Sequence, residues 1–158
     1  AYSDYLKQAG QKLPLLIADL KEDAVDRILE EEKITEIKSY IHFPGYIANT
    51  DLPALYGGAF AFLYPSLRES FGIPMLEAMA CGTPIIAGNT SAMPEIAGEG
   101  AFLVNPFNTK DITEKILQLE NDETFYQQQV EYGLKRRQQY SWRSTAKSLL
   151  EIYKEFAK

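Results

Sequence analysis

The stretch Glu69-Ser-Phe-Gly-Ile-Pro-Met-Leu-Glu77 decides how this chain is expected to fold. The apolar residues 59–65 precede it and are typical of a buried strand, whereas residues 75–81 have the composition of a helix that ends at Gly82. The stretch is therefore a strand-to-helix turn, with one carboxylate before the turn and another in the helix. In open α/β sheets, such turns lie at the carboxyl ends of strands, where ligands bind.

The residues inside this turn suit a bound anion. Gly72 has no Cβ, so the backbone can approach a ligand closely. Pro74 fits the first turn of a helix, because the N–H that it lacks would have no partner there. The free amides near Phe71, Gly72 and Ile73 then point out of the helix start, and the helix dipole favours negative charge at the same place. A hydrogen bond to a charged group contributes about 1.5–3 kcal/mol, so two or three such donors are expected to hold a diphosphate without a metal.

Two glutamates flank this expected anion site. Glu77 lies one turn into the helix, where its carboxylate can accept both hydroxyls of a vicinal diol, as the acid of dinucleotide-binding folds does with ribose. Glu69 is placed to hold a second polyol group on the other side of the phosphate. The spacing alone leaves a simpler alternative open, in which both acids only complement the positive end of the helix.

The wider sequence resembles a known family. The string Pro65-Ser-Leu-Arg-Glu-Ser-Phe-Gly-Ile-Pro-Met-Leu-Glu-Ala-Met-Ala-Cys-Gly-Thr-Pro84 closely resembles the signature of retaining nucleotide-sugar glycosyltransferases with the GT-B fold, the large group 1 family. The resemblance continues through residues 85–88, 93–96 and 100–106. It covers the chain from about Leu15 to the C-terminus.

This resemblance implies an α/β fold with a Rossmann-like, doubly wound parallel sheet. The whole chain, residues 1–158, is then the C-terminal, donor-binding half of a GT-B fold, with C-terminal helices over about 123–158. In that family the glutamate at the position of Glu69 contacts the transferred sugar, which makes it the candidate catalytic residue, and Glu77 binds the ribose hydroxyls. The implied contacts to sugar and phosphate are Glu69, Ser70, Phe71, Gly72 and Ile73, and those near the nucleotide base are Gly45, Tyr46 and Ile47.

Short apolar segments alternate with helical patterns along the chain, which independently predicts a parallel doubly wound sheet. The predicted strands are residues 14–18, 39–43, 59–64, 83–87 and 101–104. The predicted helices are residues 2–8, 23–33, a short one through Tyr56, 75–81, 93–97, 111–119, 123–138 and one that follows Ser141. We expect helix-end roles for Gly10, which would close the first helix, and for the capping residues Asn49 or Thr50, Thr109 and Ser141.

The same patterns predict which faces are buried. The helix over residues 23–33 should point Ala24, Val25, Ile28 and Leu29 inward, and His42 should be a packed strand residue. The last helix carries an apolar stripe at helical spacing, which is expected to pack into the core. The stripe consists of Trp142, Ala146, Leu149, Leu150, Tyr153 and Phe156.

Composition excludes several function classes. A chain of 158 residues suits one domain with a full core. A formal net charge of -6 argues against nucleic acid, because a phosphate-tracking surface is normally basic. No run is apolar enough to span a membrane, no signal peptide is evident and Cys81 is the single cysteine, so a cytoplasmic protein is expected.

The basic run at residues 135–137 leaves open a peripheral contact of the intact enzyme with the inner face of the membrane. Neither a metal nor a cofactor is expected.

Parts of the family pattern are missing. The family's donor domain opens with a strand and a loop whose basic pair grips the diphosphate, and no Lys or Arg here matches that pair. The N-terminal acceptor domain is absent as well, so we interpret the chain as a fragment that is inactive alone. In the usual strand order the lost first strand is central. The remaining strands are expected either to close the gap or to borrow a partner strand from another chain.

The leading interpretation is the donor-binding domain of a retaining glycosyltransferase. The intact enzyme would move a hexose, mannose among the candidates, from a nucleoside diphosphate sugar to a glycan or lipid-linked acceptor. Another GT-B enzyme is an alternative, either a sugar-nucleotide epimerase or a phosphorylase, although no pyridoxal-phosphate lysine motif is evident. A non-catalytic sugar-nucleotide-binding module is a further alternative. A flavodoxin- or receiver-like domain is disfavoured, because neither an acidic cluster nor a flavin phosphate loop follows the first strand.

Overall fold

The computed structural model describes residues 1–157, in which helices alternate with short strands as the sequence predicts. The strands are β1 (Leu15–Leu16), β2 (Ile41–His42), β3 (Phe62–Tyr64), β4 (Ile85–Gly88) and β5 (Phe102–Val104). The α-helices are α1 (Tyr2–Gln8), α2 (Glu22–Glu31), α3 (Leu52–Gly58), α4 (Ile73–Ala80), α5 (Met93–Ala97), α6 (Thr109–Asn121), α7 (Glu123–Arg137) and α8 (Trp142–Phe156). Short 3-10 helices span Thr35–Tyr40 and Gly98–Gly100. No helix in the described part of the chain is long and apolar enough to cross a bilayer.

All strand pairs are parallel, and they form two separate sheets. β1 pairs with β2, and β3, β4 and β5 form a second sheet in that order. Within residues 1–157 no strand joins the two sheets, and residues 1–14 contribute only α1. The predicted gap is therefore present, and the expectation that the remaining strands close it is wrong. Borrowing a strand from another chain stays a prediction.

Two apolar clusters hold these sheets and helices together. The first spans both sheets, because it contains Ile41 of β2, Ile86 of β4 and Val104 of β5 together with apolar residues of α1, α2 and α6. The second lies around α4 and α5, where Met75 and Met93 are fully buried. Side chains packed this densely leave little freedom to shift. The second cluster thus fixes the helix that follows the turn at residues 69–72.

Three details of the first half of the chain differ from the predictions. The segment predicted as a strand from residue 39 begins with the end of a 3-10 helix, so β2 is only two residues long. In this strand Ile41 is buried and His42 is exposed, which is the alternation of a one-sided strand, so the predicted packing of His42 is wrong. On α2, Val25 and Leu29 are buried as predicted, whereas Ile28 is 52% exposed.

The helix ends differ in a similar way. Residue Ala9, rather than Gly10, ends α1, and Asp51 rather than Asn49 or Thr50 precedes α3, with no side-chain hydrogen bond at that cap. Helix α6 begins at Thr109, so Asn108 is the capping residue, and its Oδ1 accepts hydrogen bonds from two amides of the first turn. The predicted cap of α8 is confirmed, because the Ser141 Oγ accepts from the Ser144 amide at 3.0 Å.

The apolar stripe of α8 does not enter the core, so that prediction is wrong. No residue of this helix is buried, and Trp142 and Phe156 are 79% and 80% exposed. Helical spacing shows that apolar side chains share a face, but it does not show what covers that face. Within the described residues, the two core clusters contain no residue of α8.

We predict that Gly88→Ala destabilises the fold by about 1–3 kcal/mol, because a Cβ at this position would lie 2.5 Å from the Ser66 carbonyl oxygen. Chemical denaturation measures this change in unfolding free energy. The control is Gly58→Ala at the end of α3, where a Cβ meets nothing within 4 Å, and its stability should be unchanged or slightly higher. Equal stability of the two variants would contradict the close contact between β4 and Ser66.

Candidate functional site

The turn before α4 has the geometry that the sequence predicts. Gly72 precedes the helix in the left-handed region, with φ 93° and ψ 49°, and Pro74 lies in the first turn. The helix begins at Ile73, two residues earlier than predicted. A Cβ at position 72 would lie 2.8 Å from the Met75 Cε, in addition to the strain of positive φ. Both constraints make glycine the residue that this turn requires.

The turn leaves backbone donors free. Among the hydrogen bonds that residues 1–157 make with one another, none has the amide of Phe71, Gly72 or Ile73 as its donor. Gly72 is buried, whereas Phe71 and Ile73 are 39% and 45% exposed. Buried backbone amides are almost always paired with protein, water or a ligand. The turn therefore presents donors toward the helix start, as the sequence predicts, and the binding of a diphosphate there stays a prediction.

Glu69 lies half-buried beside two hydroxyl groups. The Ser66 Oγ donates to the Glu69 carboxylate at 3.1 Å. The Tyr64 hydroxyl is its other neighbour, and burial followed by this carboxylate raises the pKa of Tyr64. The Glu69 backbone carbonyl accepts a 2.6 Å hydrogen bond from the Ser91 Oγ. The first predicted site carboxylate is thus held at its side chain and at its backbone, which fixes its direction.

Glu77 is exposed on α4 and also has a tyrosine neighbour. Burial, and then the Glu77 carboxylate, raise the pKa of Tyr56 to about 12. The backbone of Tyr56 is fixed in turn, because its carbonyl accepts a 2.6 Å hydrogen bond from the Thr83 hydroxyl. Each acid of the motif therefore has one tyrosine neighbour from a different element, Tyr64 from β3 and Tyr56 from α3.

These two tyrosines belong to a row of aromatic rings. Phe62 meets Tyr56 edge to face at 5.2 Å and stacks on Tyr64 at 5.4 Å, measured between ring centroids. The row runs from the neighbour of one acid to the neighbour of the other. The sequence analysis did not assign these tyrosines to the site. The signal available was their strand spacing, since Phe62 and Tyr64 are two residues apart and share one face of β3.

A second loop, residues 89–92 between β4 and α5, contacts the first one. The Thr90 hydroxyl donates to the carbonyls of Ser66 and Leu67, at 3.3 and 3.0 Å. Ser91 adopts a positive φ of 58° and makes the hydrogen bond to Glu69 described above. Two hydroxyl side chains therefore connect this loop to the motif turn, and the sequence analysis did not assign either residue to the site. Residues held in this backbone region are often found at functional sites.

The third predicted segment, Gly45 to Ile47, follows β2. Gly45 has a φ of 73°, and its carbonyl accepts a 3.1 Å hydrogen bond from the Asp19 amide in the loop after β1. Tyr46 is 77% exposed. The position of this segment relative to a nucleotide base stays a prediction, as do the roles of Ser70 and of the amides in the motif turn. No three His, Cys, Asp or Glu side chains of residues 1–157 are grouped to hold a metal ion.

Comparison with known proteins identifies the family. A family model described as glycosyl transferases group 1 matches residues 1–136. The chain belongs to this family. It is 33% identical over 156 residues to the O-antigen chain mannosyltransferase B of Escherichia coli, a match that covers 98% of the chain and 40% of that relative. The chain thus spans less than half of the relative's length.

Two solved structures share the fold of this group 1 domain. One is the C-terminal domain of a glycosyl transferase group 1 family protein (LpcC) from Francisella tularensis, with a TM-score of 0.70 and 27% identity over 85% of the chain and 72% of that domain. The other is Anabaena HepE in complex with UDP-glucose, with a TM-score of 0.79 and 19% identity over 98% of the chain and 44% of HepE. The predicted α/β architecture, the C-terminal half of a GT-B fold, is confirmed.

We predict that stability falls between pH 10 and 12, in part through Tyr56. The ordinary tyrosine pKa is about 10, and that of Tyr56 is about 12 in the folded chain. As pH rises through this range the unfolded chain loses the proton while the folded chain keeps it, so folding becomes less favourable. Tyr56→Phe removes this contribution, and its unfolding free energy should fall less steeply with pH than that of the unsubstituted protein. Denaturant unfolding at several pH values measures the slopes.

The control for this comparison is Tyr46→Phe, at a ring that is 77% exposed. This variant should keep the steeper slope of the unsubstituted protein. If Tyr56→Phe and the unsubstituted protein lose stability equally between pH 10 and 12, the described environment of Tyr56 is wrong.

Proposed function

We propose that this chain is the donor-binding domain of a retaining glycosyltransferase. The intact enzyme moves a hexose from a nucleoside diphosphate sugar to a glycan or lipid-linked acceptor. One observation carries the proposal: unpaired amides at the start of α4 lie between two carboxylates, each with a tyrosine neighbour. This arrangement supplies donors for a diphosphate and acceptors for sugar hydroxyls within one turn of chain.

The proposed mechanism is electrostatic. When the glycosidic bond to the diphosphate breaks, negative charge grows on the leaving phosphate. The amides of Phe71, Gly72 and Ile73, together with the helix dipole of α4, stabilise this charge without a metal ion. Since α4 is anchored by the fully buried Met75 and Met79, these donors need little rearrangement during the reaction. No residue of the described chain is assigned as a general base.

The two acids orient the donor. Glu77 accepts the ribose hydroxyls, and Glu69 accepts hydroxyls of the transferred sugar, so that the anomeric carbon faces the acceptor. Holding both ends of the donor restricts the motion that would otherwise misalign the reacting atoms. Residues 45–47 complete the donor site at the base. The complex of HepE with UDP-glucose supports this ligand class, and the mannosyltransferase relative supports mannose as one transferred sugar.

The intact protein is proposed to contain an N-terminal acceptor domain and to act in the cytoplasm at the inner face of the membrane. The relative of which this chain covers 40% supports a longer enzyme. A thermal-shift screen of UDP-glucose, UDP-galactose and GDP-mannose against the full-length protein selects the donor, and a product assay follows. Binding without transfer would favour the non-catalytic module, and rearrangement of the free sugar nucleotide would favour the epimerase.

We predict that Glu77→Ala in the full-length protein weakens binding of the selected nucleoside diphosphate by about 10- to 100-fold, because a hydrogen bond to a charged group contributes about 1.5–3 kcal/mol. Isothermal titration calorimetry measures the change. Glu114→Ala removes an exposed glutamate of α6 and is the matched control, which should bind as the unsubstituted protein does. An unchanged affinity of Glu77→Ala would exclude the ribose role.

We predict a different result for Glu69→Gln. The amide keeps the size of the side chain but removes the charge, so the rate of hexosyl transfer should fall about 100-fold, as for loss of one group that stabilises a transition state. Affinity for the free nucleoside diphosphate should stay within about twofold, since the sugar is absent from that ligand. Steady-state kinetics and calorimetry separate the two effects, with Glu99→Gln as the exposed control. A weaker nucleotide affinity at an unchanged rate would contradict the sugar role.

A further inference from the structure

We propose that Arg136 and Tyr140 are a positioning pair for the donor site, which holds the motif turn and helix α5 in their relative places. The proposal rests on the function proposed above. Neither side chain is assigned a contact with the donor, so the pair acts through the residues that it supports. Tyr140 lies beyond the region matched by the family model, which ends at residue 136.

The guanidinium of Arg136 binds the end of α5. Arg136 lies in the last turn of α7, its Nε donates to the Ile96 carbonyl at 2.9 Å, and its Nη2 donates to the Glu95 carbonyl. The final carbonyls of a helix have no partner within the helix, and a cation at that end also complements the helix dipole. Gly98 and Gly100 leave the space for this arginine, because a Cβ at either would come 3.0 Å from its side chain.

The same guanidinium reaches the motif turn through Tyr140. Its Nη2 donates to the Tyr140 hydroxyl at 2.8 Å, and its carbon lies 5.2 Å from the centre of that ring. The Tyr140 ring meets Phe71 edge to face at 5.8 Å. Contacts of this kind are directional, because ring edges and cations are attracted to the electron-rich faces of aromatic rings. One side chain therefore connects α5 with a residue of the proposed phosphate-binding turn.

The opposite end of α5 contacts the same turn. The loop before this helix donates from Ser91 to the Glu69 carbonyl and from Thr90 to the Ser66 and Leu67 carbonyls. Helix α5 is thus fixed at its start by hydroxyl groups and at its end by Arg136. Displacement of its C-terminal end would be transmitted to Ser91 and from there to Glu69. The nucleotide side of the site, on α4, is joined to α5 as well, because the second core cluster packs residues of the two helices together.

A purely structural role for Arg136 predicts a different outcome from a positioning role. Structural loss lowers thermal stability and the fraction of folded protein, but each folded molecule reacts normally. Loss of positioning lowers the transfer rate of each folded molecule, and through Phe71 it also lowers the affinity for the nucleotide. A misplacement of about 1 Å far from the reacting atoms is known to reduce rates by up to about 100-fold.

The test uses the full-length protein with Arg136→Lys, Tyr140→Phe and the control Arg137→Lys at an exposed neighbour. Lysine keeps the charge but cannot reproduce the planar, multiple donors of arginine. Tyr140→Phe keeps the ring contact with Phe71 and loses only the hydroxyl. For Arg136→Lys we expect faster exchange of the hydrogen-bonded amides in residues 89–97, such as those of Asn89, Met93 and Ile96, and a roughly tenfold lower kcat. Because Phe71 belongs to the proposed phosphate-binding turn, the affinity of Arg136→Lys for the nucleoside diphosphate should also be lower than that of Arg137→Lys. We expect Tyr140→Phe to change amide exchange and kcat in the same direction, but by smaller amounts.

The outcomes are distinguishable. Suppose that Arg136→Lys and Tyr140→Phe show the same amide exchange and the same kcat per folded molecule as Arg137→Lys. The positioning role of Arg136 and Tyr140 is then wrong, whatever the melting temperatures are. If the unsubstituted full-length protein transfers no hexose and binds no nucleoside diphosphate, the proposed function fails and this inference fails with it. A lower kcat with faster loop exchange supports the pair.

Discussion

The unpaired amides at the start of α4 are the feature on which the rest of the site depends. Of the three residues with these amides only Gly72 is buried, and a buried backbone donor without a partner costs about 1–3 kcal/mol, which the surroundings of the turn must offset. Gly72 supplies the left-handed backbone that no larger residue adopts without strain, and Pro74 starts the helix immediately afterwards. Behind them, the fully buried Met75 and Met79 fix the helix in the second core cluster. The core thus stabilises a local arrangement that is unfavourable by itself.

This arrangement also explains how an acidic chain can offer a site for an anion. The formal charge of -6 and the two carboxylates of the motif would repel a diphosphate if the site depended on net charge. Oriented amide dipoles act over a short range and require no basic side chain. Glu69 is partly compensated, because the Ser66 hydroxyl donates to it and the Tyr64 hydroxyl is its neighbour. In the proposed site, the two acids face sugar hydroxyls while the amides face phosphate.

The sequence predicts the parts of this protein that depend on local pattern. Alternating apolar segments and helical periodicity predict the order of strands and helices. The composition of the turn predicts that Gly72 and Pro74 form the helix start and that the two glutamates flank it. The wrong predictions concern which part of the molecule packs against a given face of a helix or strand. Periodicity shows that α8 has an apolar side, but the packing partner of that side is a property of the whole molecule. The predictions for His42 and for the cap at Thr109 are wrong for a smaller reason, since a shift of one residue changes which side chain turns inward or reaches the helix end.

The Tyr56–Phe62 contact and the hydroxyl contacts between the loops escaped the sequence analysis because they join residues 6 to 24 positions apart. The contacts between the loops have one feature in common, which is that side-chain hydroxyls donate to backbone carbonyls. The carbonyls of Ser66, Leu67 and Glu69 all accept from hydroxyl side chains of the second loop, and two carbonyls of α5 accept from Arg136. Side-chain donors thus satisfy the acceptors of these loops, while the amides of the motif turn receive no such partner. The carbonyls of Glu69 and Gly72 accept hydrogen bonds within the protein, whereas the amides of Phe71, Gly72 and Ile73 donate none to the described residues, which leaves the positive ends of backbone dipoles available to a ligand. The proposed selectivity for an anion rests on these amides, which the surrounding side chains leave unpaired.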